Sequence, residues 1–89
     1  MNAFPVEILV RPGCHLCDDA LPVVERAVRL AAGTMVVVDI EGDDHLVRDF
    51  GLRIPVVRAG GRVVAEGVID GVASLWRALI RSRLSRGDD

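Results

Sequence analysis

Hydrophobic residues occur along this chain either in short β-branched runs or at helical spacing. The alternation of these two patterns predicts strands separated by helices. Short β-branched runs predict strands at Val6–Val10 and Thr34–Ile40, the second apolar enough to be covered on both faces. Between them, apolar residues at helical spacing predict a helix that begins at Cys14 or His15 and ends at Ala32. This strand–helix–strand order implies a right-handed parallel crossover.

The second half of the chain predicts a short helix, a hairpin and a last helix. The short helix covers His45–Phe50, and the hairpin strands Ile54–Arg58 and Val63–Glu66 are joined by a turn with two consecutive glycines. The last helix starts at Asp70 and has an apolar stripe, made of Val72, Leu75, Trp76, Leu79, Ile80 and Leu84. The order β-α-β-α-β-β-α therefore predicts an α/β fold with a four-stranded mixed sheet flanked by helices.

Length, composition and charge narrow the class of protein. The 89 residues suit one domain, with a core over about residues 5–84 and a frayed tail at 85–89. Aromatic residues make up only 3%, so the core is expected to be aliphatic. The net charge of −2, without a basic block, makes nucleic acid a poor candidate partner. Without a signal-like start or a membrane-length apolar run, we expect a cytoplasmic monomer that does not contact membranes.

Two cysteines lie at the predicted junction of the first strand and the first helix. Cys14 and Cys17 are three residues apart, which places both on one helix face within disulfide reach. The helix dipole and the unpaired N–H groups favour a thiolate at Cys14, and Arg11 or a protonated His15 could add positive charge. Cys17 lies one turn into the helix and is expected to be more buried. In a reducing compartment such a pair is typical of redox chemistry rather than of a structural disulfide.

These features predict a thiol–disulfide oxidoreductase. Cys14 attacks a partner disulfide, and Cys17 then resolves the mixed disulfide. Two other functions are compatible with the same pair. The cysteines of two chains can share a metal ion or an iron–sulfur cluster, although one chain lacks the four ligands of a structural zinc site. The fold can also act as an interaction module without turnover. We predict no cofactor and no metal site within one chain.

Three features resemble the thioredoxin superfamily, and within it the small glutaredoxin-like proteins. They are the motif Cys14–Cys17 after the first strand, Pro22 five residues later, and Ile54-Pro55 before the third strand. Pro22 is also expected to kink the first helix. The resemblance covers residues 6–84 and implies a thioredoxin-like fold. It implies that the bond before Pro55 is cis, that this proline lies against the active-site pair, and that the backbone at Arg53-Ile54 binds an extended substrate.

The resemblance also bears on glutathione. Glutaredoxins hold it with a basic residue before the motif, the cis-proline segment and a Gly-Gly-x-Asp turn before the last helix. Arg11 resembles the basic residue, and Gly67 and Asp70 match the turn. Val68 replaces the second glycine of the turn and restricts the close approach of glutathione to the backbone. Asp70 also suits the N-cap of the last helix, the role we favour for it. The expected partner is a disulfide-containing protein or glutathione, the latter as a co-substrate.

Overall fold

A computed structural model describes residues 4–86 and contains seven elements. The strands are β1 (Pro5–Val10), β2 (Thr34–Asp39), β3 (Val56–Ala59) and β4 (Arg62–Glu66), and the helices are α1 (His15–Leu30), α2 (Asp44–Phe50) and α3 (Val72–Arg86). The strands form one sheet in the order β2-β1-β3-β4. β1 is parallel to β2 and antiparallel to β3, which is itself antiparallel to β4. The predicted element order and the four-stranded mixed sheet are confirmed.

The helices cover both faces of the sheet and divide the core into two parts. On one face, Val6 and Ile8 of β1 pack with buried residues of α1 and α3, among them Val24 and Leu79. On the other face, α2 covers a smaller cluster that contains Leu9, Ile40 and Val56, with Leu46 and Phe50 packed against it. Removing these aliphatic side chains from water is the main stabilising contribution in a domain of this size.

The prediction that the second strand is covered on both faces is wrong. β2 is an outer strand of the sheet. Val36 and Val37 are 41% and 51% exposed, although neighbouring side chains of a strand point to opposite faces. Val38 packs against the cluster beneath α2, whereas Val36 is not among the residues packed there. β-Branched residues favour a strand whether or not a helix covers it, so the apolar run alone could not distinguish the two cases.

The ends of the helices differ from the predicted ones. α1 continues through Pro22 and ends at Leu30, and Ala32 after it has a positive φ of 57°. α3 reaches Arg86, so the first two residues of the predicted tail are helical, and residues 87–89 lie outside the described residues. The predicted stripe on α3 is too wide, because Trp76 and Leu84 are 36% and 68% exposed.

The remaining boundaries shift by one or two residues. β1, β4 and α2 each begin one residue earlier than predicted, whereas β3 begins two residues later. α2 starts earlier because the Asp43 side chain accepts hydrogen bonds from the N–H groups of His45 and Leu46 at 3.0 and 3.1 Å. Over residues 4–86, none of the helices has the length and apolar character needed to cross a bilayer.

Candidate active site

Cys14 and Cys17 lie where the chain turns from β1 into α1. Gly13, before them, has a φ of 77°, a conformation that glycine adopts without steric cost. Cys14 is the N-cap of α1, with extended backbone angles and a carbonyl that accepts the N–H of Asp18 at 3.1 Å. The two sulfurs form a disulfide, and the Cα atoms are 5.2 Å apart. The turn and the helix start therefore bring both sulfurs together.

The two cysteines have unequal surroundings. Cys17 is 1% exposed, whereas Cys14 is only half-buried. The backbone N–H of Cys17 donates a hydrogen bond to Sγ of Cys14 at 3.1 Å. In the reduced pair, this donor and the positive end of the helix dipole favour the thiolate of Cys14.

The basic side chains expected to assist Cys14 each lie beside a carboxylate. Nη2 of Arg11 lies 3.4 Å from Oε2 of Glu41. The N–H of Glu41 is in turn held by Asp39 at 2.9 Å. The side chain of His15 is 88% exposed, and its Nε2 lies 3.4 Å from Oδ2 of Asp19. These neighbours offset part of the positive charge that the sequence placed near the cysteines.

The segment before β3 lies at the same end of the sheet as the cysteines. The peptide bond between Ile54 and Pro55 is cis, and Pro55 is buried. In the antiparallel pairing of β1 and β3, Leu9 lies opposite Val56, so the end of β1 meets the start of β3. The carbonyl of Pro55 accepts the N–H of Gly67 at 2.9 Å. The end of β1, Pro55 and Gly67 thus lie at the same end of the sheet.

Arg53 and Glu66 belong to this end of the molecule. From the sequence, only the backbone of Arg53 was expected at the site, and neither its side chain nor Glu66 was. The guanidinium donates to both carboxylate oxygens of Glu66 at 2.6–3.2 Å and lies 4.9 Å from the Phe50 ring centroid. The hydrogen bond from Arg53 lowers the pKa of Glu66, and the same bond raises the pKa of Arg53. No local sequence signal identifies the pair, because the two residues are 13 apart in the chain.

Asp70 does not cap the last helix, so that prediction is wrong. α3 begins at Val72, and the N–H of Leu75 donates to the carbonyl of Gly71 at 3.1 Å, which makes Gly71 the residue before the first turn. Asp70 is exposed, and Val68, two residues earlier, is 69% exposed. A part for Asp70 in substrate binding stays a prediction.

A model of the glutaredoxin-like domain (DUF836) matches residues 5–80 of the sequence. The chain belongs to the glutaredoxin-like domain family. The resemblance to the thioredoxin superfamily is thereby confirmed, and Cys14 and Cys17 are spaced as a CxxC motif. Within residues 4–86, no three His, Cys, Asp or Glu side chains come together as a group that could hold a metal ion.

Solved structures place this glutaredoxin-like domain among thioredoxin folds. The X-ray structure of the structural genomics target protein XcR50 from X. campestris is 33% identical, with a TM-score of 0.70, over 83% of this chain and 93% of that one. Thioredoxin 1 from Thermosipho africanus is 12% identical, with a TM-score of 0.63, over 96% and 99% of the two chains, a likeness of fold alone. No curated protein matches the sequence significantly.

Proposed function

We propose that this glutaredoxin-like domain is a thiol–disulfide oxidoreductase, with Cys14 as the nucleophile and Cys17 as the resolving thiol. The observation that carries the proposal is the unequal pair at the start of α1. Cys14 is partly open to a substrate and accepts the N–H of Cys17 at 3.1 Å, whereas the sulfur of Cys17 is buried beneath it.

The proposed reaction proceeds by two exchanges of sulfur partners. The thiolate of Cys14 attacks one sulfur of the substrate disulfide, forms a mixed disulfide and expels the other substrate sulfur as a thiolate, which takes a proton. Cys17 then loses its proton and attacks Sγ of Cys14, which forms the Cys14–Cys17 disulfide and releases the second substrate thiol. Two electrons pass from the dithiol to the substrate. Two molecules of an external thiol such as glutathione then reduce the Cys14–Cys17 disulfide and leave as their own disulfide.

The proposed substrate is a disulfide in a protein, and the proposed setting is a cytoplasmic monomer without a bound cofactor. Two exposed apolar side chains flank the cysteine end of the sheet and support a protein substrate. Leu16, between the cysteines, is 43% exposed, and Val68, in the turn that glutaredoxins use for glutathione, is 69% exposed. Apolar side chains that project at this end suit a partner surface. Arg11, His15 and the backbone at Ile54 are proposed to contact the substrate, with Asp70 at the rim.

The experiment compares Cys14→Ser with Cys17→Ser in the reduction of insulin disulfides by dithiothreitol. Both substitutions preserve size, so each removes one sulfur and little else. We expect Cys14→Ser to reduce insulin no faster than dithiothreitol alone. We expect Cys17→Ser to lose turnover but to accumulate a mixed disulfide on Cys14, visible by mass spectrometry without reductant.

Titration of the Cys14–Cys17 couple in glutathione buffers separates this function from the others. A redox pair should change state within the range of those buffers, and a glutathione adduct on Cys14 would identify the electron donor. Full activity of Cys14→Ser would disprove the proposal. A pair that stays reduced throughout would instead favour an interaction module, and purified protein with bound zinc or iron–sulfur colour would favour a metal carrier.

A further inference from the structure

A groove runs along the outer edge of β4, between that strand and α3. Two adjoining cavities of about 450 and 210 Å³ form it, and both have Val64 and Ala78 in their walls. The larger cavity reaches the hairpin turn at Gly60, and the smaller one reaches Asp70 near the cysteine end of the sheet. The groove therefore follows β4 from Arg62 to Ala65.

The strand side of the groove offers backbone groups to a further strand. β4 is the last strand of the sheet, so one of its edges has no strand beside it within residues 4–86. Its five residues extend over about 17 Å, and the N–H and C=O groups on that edge are open to pairing. A segment of extended chain can add to such an edge as a fifth strand, with α3 as the other wall.

The two ends of the groove differ in charge. Arg62 and Arg81 line the larger cavity together with Ser82 and Ser85, and no carboxylate lines it. Among the ion pairs of residues 4–86, none involves either arginine. The smaller cavity is lined by Asp70 and contains no basic side chain. An incoming segment with an acidic side chain at the arginine end would match this polarity, whereas a basic one there would be repelled.

We propose that β4 and α3 bind an extended segment of a partner protein whose acidic side chain lies between Arg62 and Arg81. Backbone pairing with β4 supplies affinity, and the two arginines fix the direction of the segment. The serines beside them, Ser82 and Ser85, can donate further hydrogen bonds to the carboxylate. This binding does not depend on the proposed disulfide chemistry, because neither cysteine lines the groove.

The test uses seven-residue capped peptides of alternating valine and threonine, with one glutamate at the first or the last position. Matched peptides carry glutamine in its place. Titration of the full-length protein, followed by amide NMR shifts, should place the glutamate peptide on β4 and the facing side of α3. We expect one of the two glutamate peptides to bind about fivefold more tightly than its glutamine counterpart, the ratio for an exposed ion pair worth about 1 kcal/mol.

Substitutions and modified peptides check both parts of the proposal. In the double variant Arg62→Gln with Arg81→Gln, the affinity for the glutamate peptide should fall to that for the glutamine peptide. Arg77→Gln is the matched control, because Arg77 is an exposed arginine of α3 outside the groove. Two further peptides are N-methylated at the odd or at the even positions. One of them should lose binding and the other should keep it, since only one edge of the peptide faces β4.

Three results would overturn the inference. The first is equal binding of the glutamate and glutamine peptides, or no binding of either. The second is unchanged binding of both N-methylated peptides, which would exclude strand pairing. The third is a dimer that forms with rising protein concentration and shifts the same amides, which would assign the groove to a second copy of this chain. Loss of insulin reduction in Cys14→Ser has no bearing on any of these results.

Discussion

Arg53 ties the loop before Pro55 to the end of β4 through its contact with Glu66. Nη2 of Arg53 lies 2.6 Å from Oε1 of Glu66, and Nε lies within 3.2 Å of both carboxylate oxygens. One residue further on, the N–H of Gly67 donates to the carbonyl of Pro55 at 2.9 Å. A side-chain contact and a backbone contact therefore hold the same loop, which is the segment proposed to receive the substrate.

The Arg53–Glu66 pair makes the stability of the protein depend on pH in acid. The pKa of Glu66 is lower in the folded protein than its ordinary value of 4.5, because Arg53 donates a hydrogen bond to the carboxylate. The unfolded chain therefore binds protons at a higher pH than the folded one. The contribution of the pair is complete above pH 4.5 and is lost as the pH falls through the lowered value. Glu66→Gln should thus be less stable than wild type at neutral pH and lose that deficit in acid.

Urea denaturation at neutral pH and at a pH below the folded value measures this difference. Glu25→Gln is the control, since Glu25 is exposed on α1 and takes no part in the ion pairs of residues 4–86. The Glu25 variant should differ little from wild type at either pH. A deficit of Glu66→Gln that is the same at both pH values would contradict a role through the carboxylate charge.

Arg83 stabilises the end of α1 from the opposite helix. Its Nη1 donates to the carbonyls of Ala31 and Ala32 at 2.8 and 3.0 Å, and its guanidinium lies 5.2 Å from the Phe4 ring centroid. Carbonyls at a helix C-terminus lack partners in the helix itself. Arg83→Gln should lower the free energy of unfolding by about 1–3 kcal/mol. Urea denaturation tests this, with Arg77→Gln as the control. Equal losses of unfolding free energy in the two variants would disprove a specific role of Arg83 at the end of α1.

Burial predicts opposite outcomes for two leucines of α3. Leu79 is fully buried between the helix and the sheet, whereas Leu84 is 68% exposed. Leu79→Ala should lower the free energy of unfolding by about 2–5 kcal/mol, because it removes packed atoms and leaves a cavity. Leu84→Ala should change it by less than about 0.5 kcal/mol. Thermal and urea unfolding measure both, and a large loss in Leu84→Ala would mean that its side chain has a partner in solution.

Glu41 limits the charge that Arg11 offers to a substrate. The two side chains meet at 3.4 Å. If Arg11 attracts the substrate, Glu41→Gln should speed the reduction of a negatively charged mixed disulfide of glutathione, and Arg11→Gln should slow it. Each effect is expected to be about twofold to fivefold, as for an exposed ion pair. The control is an uncharged disulfide such as hydroxyethyl disulfide, whose rate should not change. Equal changes with both substrates would exclude an effect of charge.

Local patterns were enough to predict the element order and the position of the cysteine pair. A β-branched run, a turn at Pro12-Gly13 and apolar residues at helical spacing are all signals within a few residues. They place Cys14 and Cys17 at a strand-to-helix junction before any contact between distant segments is known. The two cysteines are the part of the site that depends least on the rest of the fold.

The surroundings of the pair depend on contacts between residues far apart in the sequence. Arg11 and Glu41 are 30 residues apart, and Arg53 and Glu66 are 13 apart, so no short window contains either pair. The exposure of β2 has the same origin, because it follows from the order of strands in the sheet. The error at Asp70 is local, since a one-residue shift of the helix start gave the cap position to Gly71.

The outer strand β2 is a segment that can aggregate when the protein unfolds. Thr34–Asp39 contains four consecutive apolar residues, neither proline nor glycine, and a single charge at its end. Segments of this kind can stack into intermolecular sheets when they are released from their fold. In the folded domain β1 occupies one edge of the strand, and among residues 4–86 no strand pairs with the other edge. Partial unfolding on heating should therefore lead to aggregation that begins at β2, and a charged residue in place of Val37 should delay it.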